Sequence, residues 1–271
     1  MKLGPRIAID FGTTRTKVAY YDVERERAEL IQLGLAQREI IPSVFYVPKV
    51  GSGRILVGDD ALAQVDVDPG GIVREIKREI DRIGAKRCGV GRLAPTRVEL
   101  AAEMLRMIRL RCEENVFHGQ VIQHCTLTVP ASFSESQRAK LVEAANHAGF
   151  VDVRLVDEPT AAARAWYEQQ GESLGNHVLV VDVGGGTTDF SVVEWSNNRF
   201  APYAGVVPEG FSQGGNDIDD EAFSELLMLQ REEDEVKFQT FRDSLLVKLR
   251  GLKEQFSRNL ARQKLVSGQT V

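Results

Sequence analysis

Apolar and polar positions along this chain follow one pattern that occurs twice. In each copy a short apolar run ends in Asp, a glycine turn with Thr follows, and a second apolar run comes after it. The first copy covers residues 7–21 and the second covers residues 180–193. Because apolar runs on both sides of a glycine turn are typical of paired strands, the pattern predicts two β-hairpins.

The remaining apolar spacing predicts strands and helices that alternate. Short apolar runs predict strands over residues 40–47, 54–57, 125–130 and 153–156. Spacings of three to four predict helices over residues 58–63, 73–80, 95–117 and 134–149, and from residue 158 onward. Ser134 and Gln137 have the spacing of a capping box at one of these helix starts. The order strand, helix, strand, helix over residues 125–163 is typical of a sheet with parallel strands.

A boundary between two lobes is predicted at the polar, glycine-bearing stretch over residues 169–176. The second hairpin copy begins directly after this stretch. The division gives one lobe over residues 1–175 and a second over residues 176–271. In the second lobe, a highly charged segment from residue 220 to about residue 264 is predicted to be mostly helical.

The composition narrows the class of protein. With 271 residues and 43% hydrophobic content, the chain can bury sizeable cores as one large or two modest domains. A net charge of −5 gives no basic excess for nucleic acid or for an anionic membrane surface. Three scattered Cys without CxxC spacing, and no signal or membrane-spanning segment, predict a soluble protein in a reducing, cytoplasmic setting.

The two predicted turns have the chemistry of a phosphate site. Glycines allow backbone N–H groups to approach an anion, Thr hydroxyls add neutral donors, and an Asp at the strand end can hold a hydrated divalent cation. Two such hairpins could bind one nucleotide from both sides, without the lysine-bearing Walker pattern. Either copy alone could be an ordinary hairpin turn. The presence of both copies in one chain favours phosphate binding.

Five segments in chain order carry a further signal: Ile9–Thr14, Val129–Arg138, Asp157–Ala163, Asp182–Asp189 and Gly214–Asp217. Together they resemble the nucleotide-binding domain of the 70-kilodalton heat-shock (Hsp70) chaperone family. The turn motifs alone indicate the wider actin-like ATPase superfamily, and the second and third segments narrow it to the chaperone branch. The resemblance implies an α/β protein with the actin-like ATPase (ribonuclease H-like) fold, in which two lobes surround a nucleotide cleft and the second lobe is incomplete.

The resemblance also implies roles for residues at matching positions. Nucleotide contacts are expected from Gly12, Thr13, Thr14, Gly184, Gly185, Gly186, Thr187, Gly214 and Gly215, and purine or ribose contacts from Lys253 and Ser257. Asp10 and Asp182 are expected to hold Mg²⁺ through its waters. The residues expected to act in hydrolysis of ATP to ADP and phosphate are Lys77 near the γ-phosphate, Glu158 toward the lobe hinge, Thr187, Asp182 and Asp189.

Some of these assignments have simpler explanations that the sequence leaves open. Lys77 lies in a charged stretch and could be a solvated surface residue. Glu158, which precedes a Pro, could simply stabilise a helix start through the helix dipole. Lys253 and Ser257 are four residues apart and could be two surface positions on one helix face.

Three functions remain open at this stage. The preferred one is a weak Mg-dependent ATPase domain of an Hsp70-like chaperone, with an adenine nucleotide as ligand. Its further partners would be co-chaperones and a peptide-binding domain outside this chain, with no nucleic acid and no membrane. The others are a non-hydrolysing nucleotide-gated interaction domain and a small-molecule kinase of the same superfamily. Because the family domain continues with another strand where this chain ends, we expect an N-terminal fragment or a truncated homologue.

Overall fold

The computed structural model describes residues 4–34, 38–48, 53–81, 94–170, 176–197, 199–228 and 242–266. Within these ranges the strands are β1 (Arg6–Phe11), β2 (Arg15–Asp22), β3 (Arg27–Leu30), β4 (Ile40–Pro42), β5 (Phe45–Tyr46), β6 (Leu56–Val57), β7 (Ile72–Val73), β8 (His124–Val129), β9 (Asp152–Asp157), β10 (His177–Val183), β11 (Thr188–Ser196), β12 (Arg199–Pro202) and β13 (Glu209–Phe211). The helices are α1 (Asp59–Leu62), α2 (Arg97–Asn115), α3 (Glu135–His147), α4 (Glu158–Gln170), α5 (Gly215–Met228) and α6 (Arg242–Val266).

The first hairpin copy lies inside a six-stranded mixed sheet. Its strands follow the order β3-β2-β1-β8-β9, and β4 also pairs with β2. Strands β1 and β2 are antiparallel with Asp10 opposite Lys17, whereas β8 and β9 run parallel to β1. The predicted hairpin and the predicted parallel strands are therefore both confirmed.

The main core packs against this sheet. Every second residue of β1 is buried, so Ile7, Ile9 and Phe11 face the core while the residues between them face outward. Helix α2 adds fully buried side chains from its apolar face, among them Met104 and Ile108. Helices α2 and α3 also pack against each other and both begin with a capping box. The capping box predicted at Ser134 is thus confirmed.

The second hairpin copy lies in a separate four-stranded sheet. Strands β10 and β11 are antiparallel with Asp182 opposite Asp189, and both β12 and β13 pair with β11. The core beside this sheet is small and consists of Ala163, Val193 and Phe200 with a few partly buried neighbours. The predicted hairpin is confirmed, but the sheet around it is less buried than the first.

The segment that carries Lys77 differs from the prediction. A helix over residues 73–80 is wrong, because Val73 ends β7 and only residues 76–79 form a single 3₁₀ turn. Glu75 precedes that turn with φ 57°, in the left-handed region, and this backbone conformation interrupts a helix. The turn instead docks on the core through Ile76 and Ile80.

Two further expectations need adjustment. The predicted strand over residues 40–47 is two short strands, β4 and β5, and the strand over residues 54–57 is limited to β6.

Helices α5 and α6 confirm helix at both ends of the charged segment, and its middle, residues 229–241, lies outside the described residues. Of the predicted boundary stretch, residues 169 and 170 belong to the end of α4, and residues 171–175 lie outside the described residues. No helix in the described ranges is long and apolar enough to cross a bilayer.

Candidate functional site

The two glycine turns face one cavity of about 560 Å³. Ten of the residues singled out from the sequence line it, namely Asp10, Gly12, Thr13, Thr14, Lys77, Glu158, Asp182, Gly184, Gly185 and Thr187. The walls are completed by Arg15, Lys17, Thr128, Pro130, Ala161, Ala162 and Ala165. Folding therefore brings together segments that are almost 180 residues apart in the chain.

The turns share the same backbone geometry. The N–H of Gly12 donates to the carbonyl of Arg15 at 3.0 Å, and the N–H of Gly184 donates to the carbonyl of Thr187 at 2.9 Å. Each of these bonds spans three residues and closes a tight hairpin end. The repeated sequence pattern is thus a repeated structure.

Glycine is required where the two turns meet. A Cβ built on Gly186 would lie 2.7 Å from Cγ2 of Thr13, and one built on Gly185 would clash with Thr14. Gly214, directly before α5, would place a Cβ 2.6 Å from the carbonyl oxygen of Gly184. The second turn is therefore enclosed between the first turn and the start of α5, and side chains there would force the backbones apart.

Three carboxylates concentrate negative charge near the base of the cavity, where Asp10 and Asp182 line it and Asp189 lies opposite Asp182 on β11. Burial raises the pKa of Asp182, and the nearby carboxylates of Asp189 and Asp10 raise it further. Asp10 accepts a hydrogen bond from Oγ1 of Thr128 at 2.8 Å, and the buried Asp189 accepts one from Oγ of Ser132 at 2.6 Å. The like charges destabilise one another, and a cation would relieve this repulsion.

Lys77 is buried at the cavity and is not a solvated surface residue. Its side chain is only 3% exposed, and its Nζ donates to Oε1 of Glu158 at 2.7 Å. Burial raises the pKa of Glu158, while Lys77 opposes that rise. Glu158 is the first residue of α4 and lies at the end of the parallel strand β9, which directs its carboxylate toward Lys77.

Six predicted site residues do not line the cavity. They are Gly186, Asp189, Gly214, Gly215, Lys253 and Ser257. Nζ of Lys253 instead contacts the carbonyl of Gly215 at 2.5 Å and Oδ1 of Asp219 at 2.6 Å. Ser257 is exposed on α6. The Gly214–Gly215 turn supports the cavity from behind, because the N–H of Gly215 donates to the carbonyl of Gly184 at 3.0 Å.

Several residues that sequence reasoning did not select also hold the site together. Thr128 and Ser132 bind the carboxylates of Asp10 and Asp189, and Arg15 at the rim pairs with Glu254 of α6. Of these residues, only Ser132 lies in a segment that carries the family resemblance, Val129–Arg138. Their partners are far away in the chain, so spacing along the sequence carries no information about the pairs.

A second cavity of about 850 Å³ lies beside the first. Its walls are mainly charged, and they include ion pairs of Arg97 with Glu79 and of Arg242 with Asp220. Neither glycine turn lines it. We therefore assign the candidate nucleotide site to the smaller cavity.

A comparison with protein families agrees with this geometry. The family model described as Hsp70 protein matches residues 85–267, which is more than half of the chain. The protein therefore belongs to the Hsp70 family. Membership implies the actin-like ATPase fold, with which the mixed α/β sheets agree, and it supports an Hsp70-like nucleotide-binding domain. The match includes the second hairpin copy but begins after the first one and after Lys77.

Proposed function

We propose that this chain binds Mg-ATP between its two glycine turns and hydrolyses it slowly, as the nucleotide-binding domain of an Hsp70-like chaperone. The observation that carries the proposal is that both turns and the Lys77 ammonium share one cavity of about 560 Å³. Small-molecule sites usually have volumes of about 300–1,000 Å³. In this proposal residues 1–175 and 176–271 are two lobes, and the cavity lies between them.

The phosphates would be bound by both turns. Gly12, Gly184 and Gly185 line the cavity without side chains of their own, so a phosphate can approach the backbone of both turns, and the hydroxyls of Thr13, Thr14 and Thr187 supply donors. Neutral donors on opposite sides of a polyphosphate fix its position without requiring a basic surface. This agrees with the net charge of −5.

The carboxylates at the base of the cavity fit a hydrated divalent cation. Mg²⁺, when bound, would neutralise phosphate charge. Burial and, after it, repulsion by Asp189 and Asp10 raise the pKa of Asp182, which marks a place where positive charge is favourable. In the described ranges no group of three or more His, Cys, Asp or Glu side chains is arranged to bind a metal directly. Asp10 and Asp182 are therefore proposed to hold the waters of the cation.

Hydrolysis would depend on positioning and on charge stabilisation. A water molecule attacks the γ-phosphorus, the bond to the bridging oxygen of ADP breaks, and inorganic phosphate leaves. Lys77 stabilises the negative charge on the γ-phosphoryl oxygens, and Glu158 holds the ammonium in place. Thr187 would contact the γ-phosphate, and Asp189, which does not itself line the cavity, would help to arrange the waters of the cation or the attacking water.

The remaining assignments depend on family membership alone. Lys253 and Ser257 would contact the purine and the ribose, which for Lys253 requires release from Asp219. Co-chaperones, a peptide-binding domain outside this chain and a cytoplasmic location belong to the same proposal.

A non-hydrolysing, nucleotide-gated interaction domain is the second candidate. One observation favours it: the Lys77 ammonium is already paired with Glu158 at 2.7 Å. An ammonium that is paired with a carboxylate attracts a phosphate less strongly than a free ammonium does. In that case the cavity would bind the nucleotide and the chain would respond to it without turnover.

The two candidates are separated by single-turnover phosphate release from ATP, measured beside ADP affinity from calorimetry. We expect Lys77→Ala to lower the hydrolysis rate by about 100-fold and to change ADP affinity by less than about threefold, because the ammonium acts on the γ-phosphoryl group. Lys140→Ala removes an exposed ammonium paired with Glu143 on α3, and it should change neither quantity.

Because Lys77→Ala leaves a buried carboxylate unpaired, the neutral pair Lys77→Ala with Glu158→Gln is measured as well, with unfolding curves for all variants. Equal hydrolysis rates in wild type and both Lys77 variants would contradict the proposed role of Lys77. A wild type that binds ADP but releases no phosphate would support the second candidate.

A further inference from the structure

Asn216, in the first turn of α5, makes polar contacts with three separate parts of the molecule. It is 5% exposed. Its backbone N–H donates to the carbonyl of Gly185 in the second glycine turn at 2.7 Å. Its Oδ1 accepts from Nη2 of Arg250 on α6 at 2.7 Å, and its Nδ2 donates to Oε1 of Glu75 at 2.6 Å. One buried amide side chain therefore joins segments that lie 141 residues apart.

The chemistry of these partners requires an amide at position 216. Arg250 can only donate and the Glu75 carboxylate can only accept, so the side chain between them must present an acceptor and a donor at once. Asn satisfies both partners in one orientation. An Asp would place a carboxylate against Glu75, and Ala would leave Glu75 and Arg250 without this link.

Glu75 combines an uncommon backbone conformation with this contact. Its φ of 57° lies in the left-handed region, which costs energy for a residue with a side chain. The same carboxylate accepts from Nη1 of Arg78 at 3.4 Å through Oε2, and Arg78 lies 3.6 Å from the Asp217 carboxylate. Two contacts with the start of α5 therefore flank Lys77 on both sides in the sequence.

We propose that Asn216 is a positioning residue that keeps the Lys77 turn in register with the second glycine turn. Its backbone holds Gly185 while its side chain holds Glu75, two residues before Lys77. A shift of the start of α5 would therefore move the ammonium and the phosphate-binding backbone relative to each other. This inference rests on the proposed nucleotide site, and it assigns to Asn216 no contact with the nucleotide itself.

The test moves the negative charge of this contact from position 75 to position 216. Asn216→Asp opposes two carboxylates, and we expect it to speed the dissociation of a fluorescent ADP from the Mg-bound protein by about tenfold, the scale of a lost hydrogen bond to a charged group. Glu75→Gln keeps an acceptor for Asn216 and should change the rate by less than about threefold. Adding Glu75→Gln to Asn216→Asp lets the new amide donate to the new carboxylate, so the paired variant should return to within about threefold of wild type.

Two controls separate positioning from general stability. Glu79→Gln changes the same 3₁₀ turn at a carboxylate that pairs with Arg97 of α2, so dissociation of ADP should be unchanged. Urea unfolding of the same variants without nucleotide gives the double-mutant cycle for the free energy of unfolding. Single-turnover hydrolysis should change in the same variants. Asn216→Asp should hydrolyse ATP more slowly than wild type, and the paired variant should recover the hydrolysis rate.

The outcomes distinguish this inference from the proposed function. A wild type that binds ADP and hydrolyses ATP, with Asn216→Asp indistinguishable from it, overturns the positioning role alone. Faster ADP dissociation in Asn216→Asp that does not recover in the paired variant also overturns the positioning role, because the effect then does not depend on Glu75. A wild type that binds ADP without hydrolysis overturns ATPase activity and leaves the ADP dissociation test valid. A wild type that binds no ADP overturns both.

Discussion

The two hairpins have nearly identical turns but very different surroundings. Both turns close with a glycine N–H that donates to the carbonyl three residues on. In the first hairpin, Ile9 is fully buried on its strand, whereas Val181 on the corresponding strand of the second is 50% exposed. The comparison shows that the turn is set by its own Gly, Asp and Thr residues, while burial of the strands is set by the rest of the fold.

The difference in burial follows from what flanks each strand. Strand β1 is paired on both edges, by β2 and β8, and α2 contributes to the core against that sheet. Among the described residues β10 pairs with β11 alone, and its side chains alternate between exposed and half-buried. Strand β1 therefore contributes more to stability than β10, and the second hairpin is buried mainly through Val193 on β11.

The largest effect that tests this comparison is on stability. Ile9→Ala should lower the free energy of unfolding by about 2–5 kcal/mol, because it removes a fully buried side chain and leaves a cavity. Val181→Ala should cost about 0.5 kcal/mol or less, since that side chain is half exposed. Urea unfolding of both variants measures the difference. Similar losses in the two variants would mean that Val181 is also packed into a core.

A second effect concerns the contact between the turns. Gly185→Ala forces Thr14 away, and we expect about 100-fold weaker ADP binding, which corresponds to about 2.7 kcal/mol. The matched control is Gly251→Ala on α6, where a Cβ would meet no atom within 4 Å. That control should leave ADP affinity unchanged and stabilise the helix by about 1 kcal/mol. Calorimetry and thermal unfolding measure both. Unchanged ADP affinity in Gly185→Ala would contradict the close contact of the turns.

The smallest effect concerns the charge of Asp182 in the ligand-free protein. Because burial raises the pKa of Asp182, the folded state retains that proton to higher pH than the unfolded chain does. The stability contributed by this proton is lost as pH rises from the ordinary carboxyl pKa through the folded one. At neutral pH Asp182→Asn should therefore raise the melting temperature, by about 2 °C for a gain of about 0.5–1 kcal/mol.

That gain should disappear below about pH 3, where the carboxyl is protonated in both states. Calorimetric unfolding at both pH values, without nucleotide or metal, measures it. Glu143→Gln, a change to an exposed carboxylate on α3, is the control and should shift the melting temperature very little. A lower melting temperature for Asp182→Asn at neutral pH would contradict the repulsion among these carboxylates.

Features that depend on neighbours in the sequence could be predicted. Both hairpins, the parallel strands β8 and β9 and the capping box at Ser134 follow from local patterns of apolar, glycine and capping residues. The cavity was also accessible to prediction, because each turn carries its own phosphate chemistry. Local patterns failed at Lys77, where the helix formers suggested a helix and the left-handed Glu75 interrupts it.

Contacts between distant segments could not be predicted. Nothing near Asn216 in the sequence indicates that it binds Glu75, and nothing near Asp189 indicates Ser132. The likeness of the α6 segment to a nucleotide-contacting helix predicted nucleotide contacts for Lys253, whose ammonium instead pairs with Asp219. These pairings arise when sheets and helices pack, so a single sequence does not contain them.

In the proposed site the two turns bind one Mg-nucleotide together, with an Asp from each hairpin holding the waters of the cation. The most direct measurement is calorimetric ADP affinity, with and without Mg²⁺, of wild type, Asp10→Asn and Asp182→Asn. We expect Mg²⁺ to strengthen ADP binding in wild type and each variant to reduce that gain by about tenfold, since a charge-assisted contact to the hydrated cation is lost. Equal affinities in all three proteins, with and without Mg²⁺, would contradict the claim.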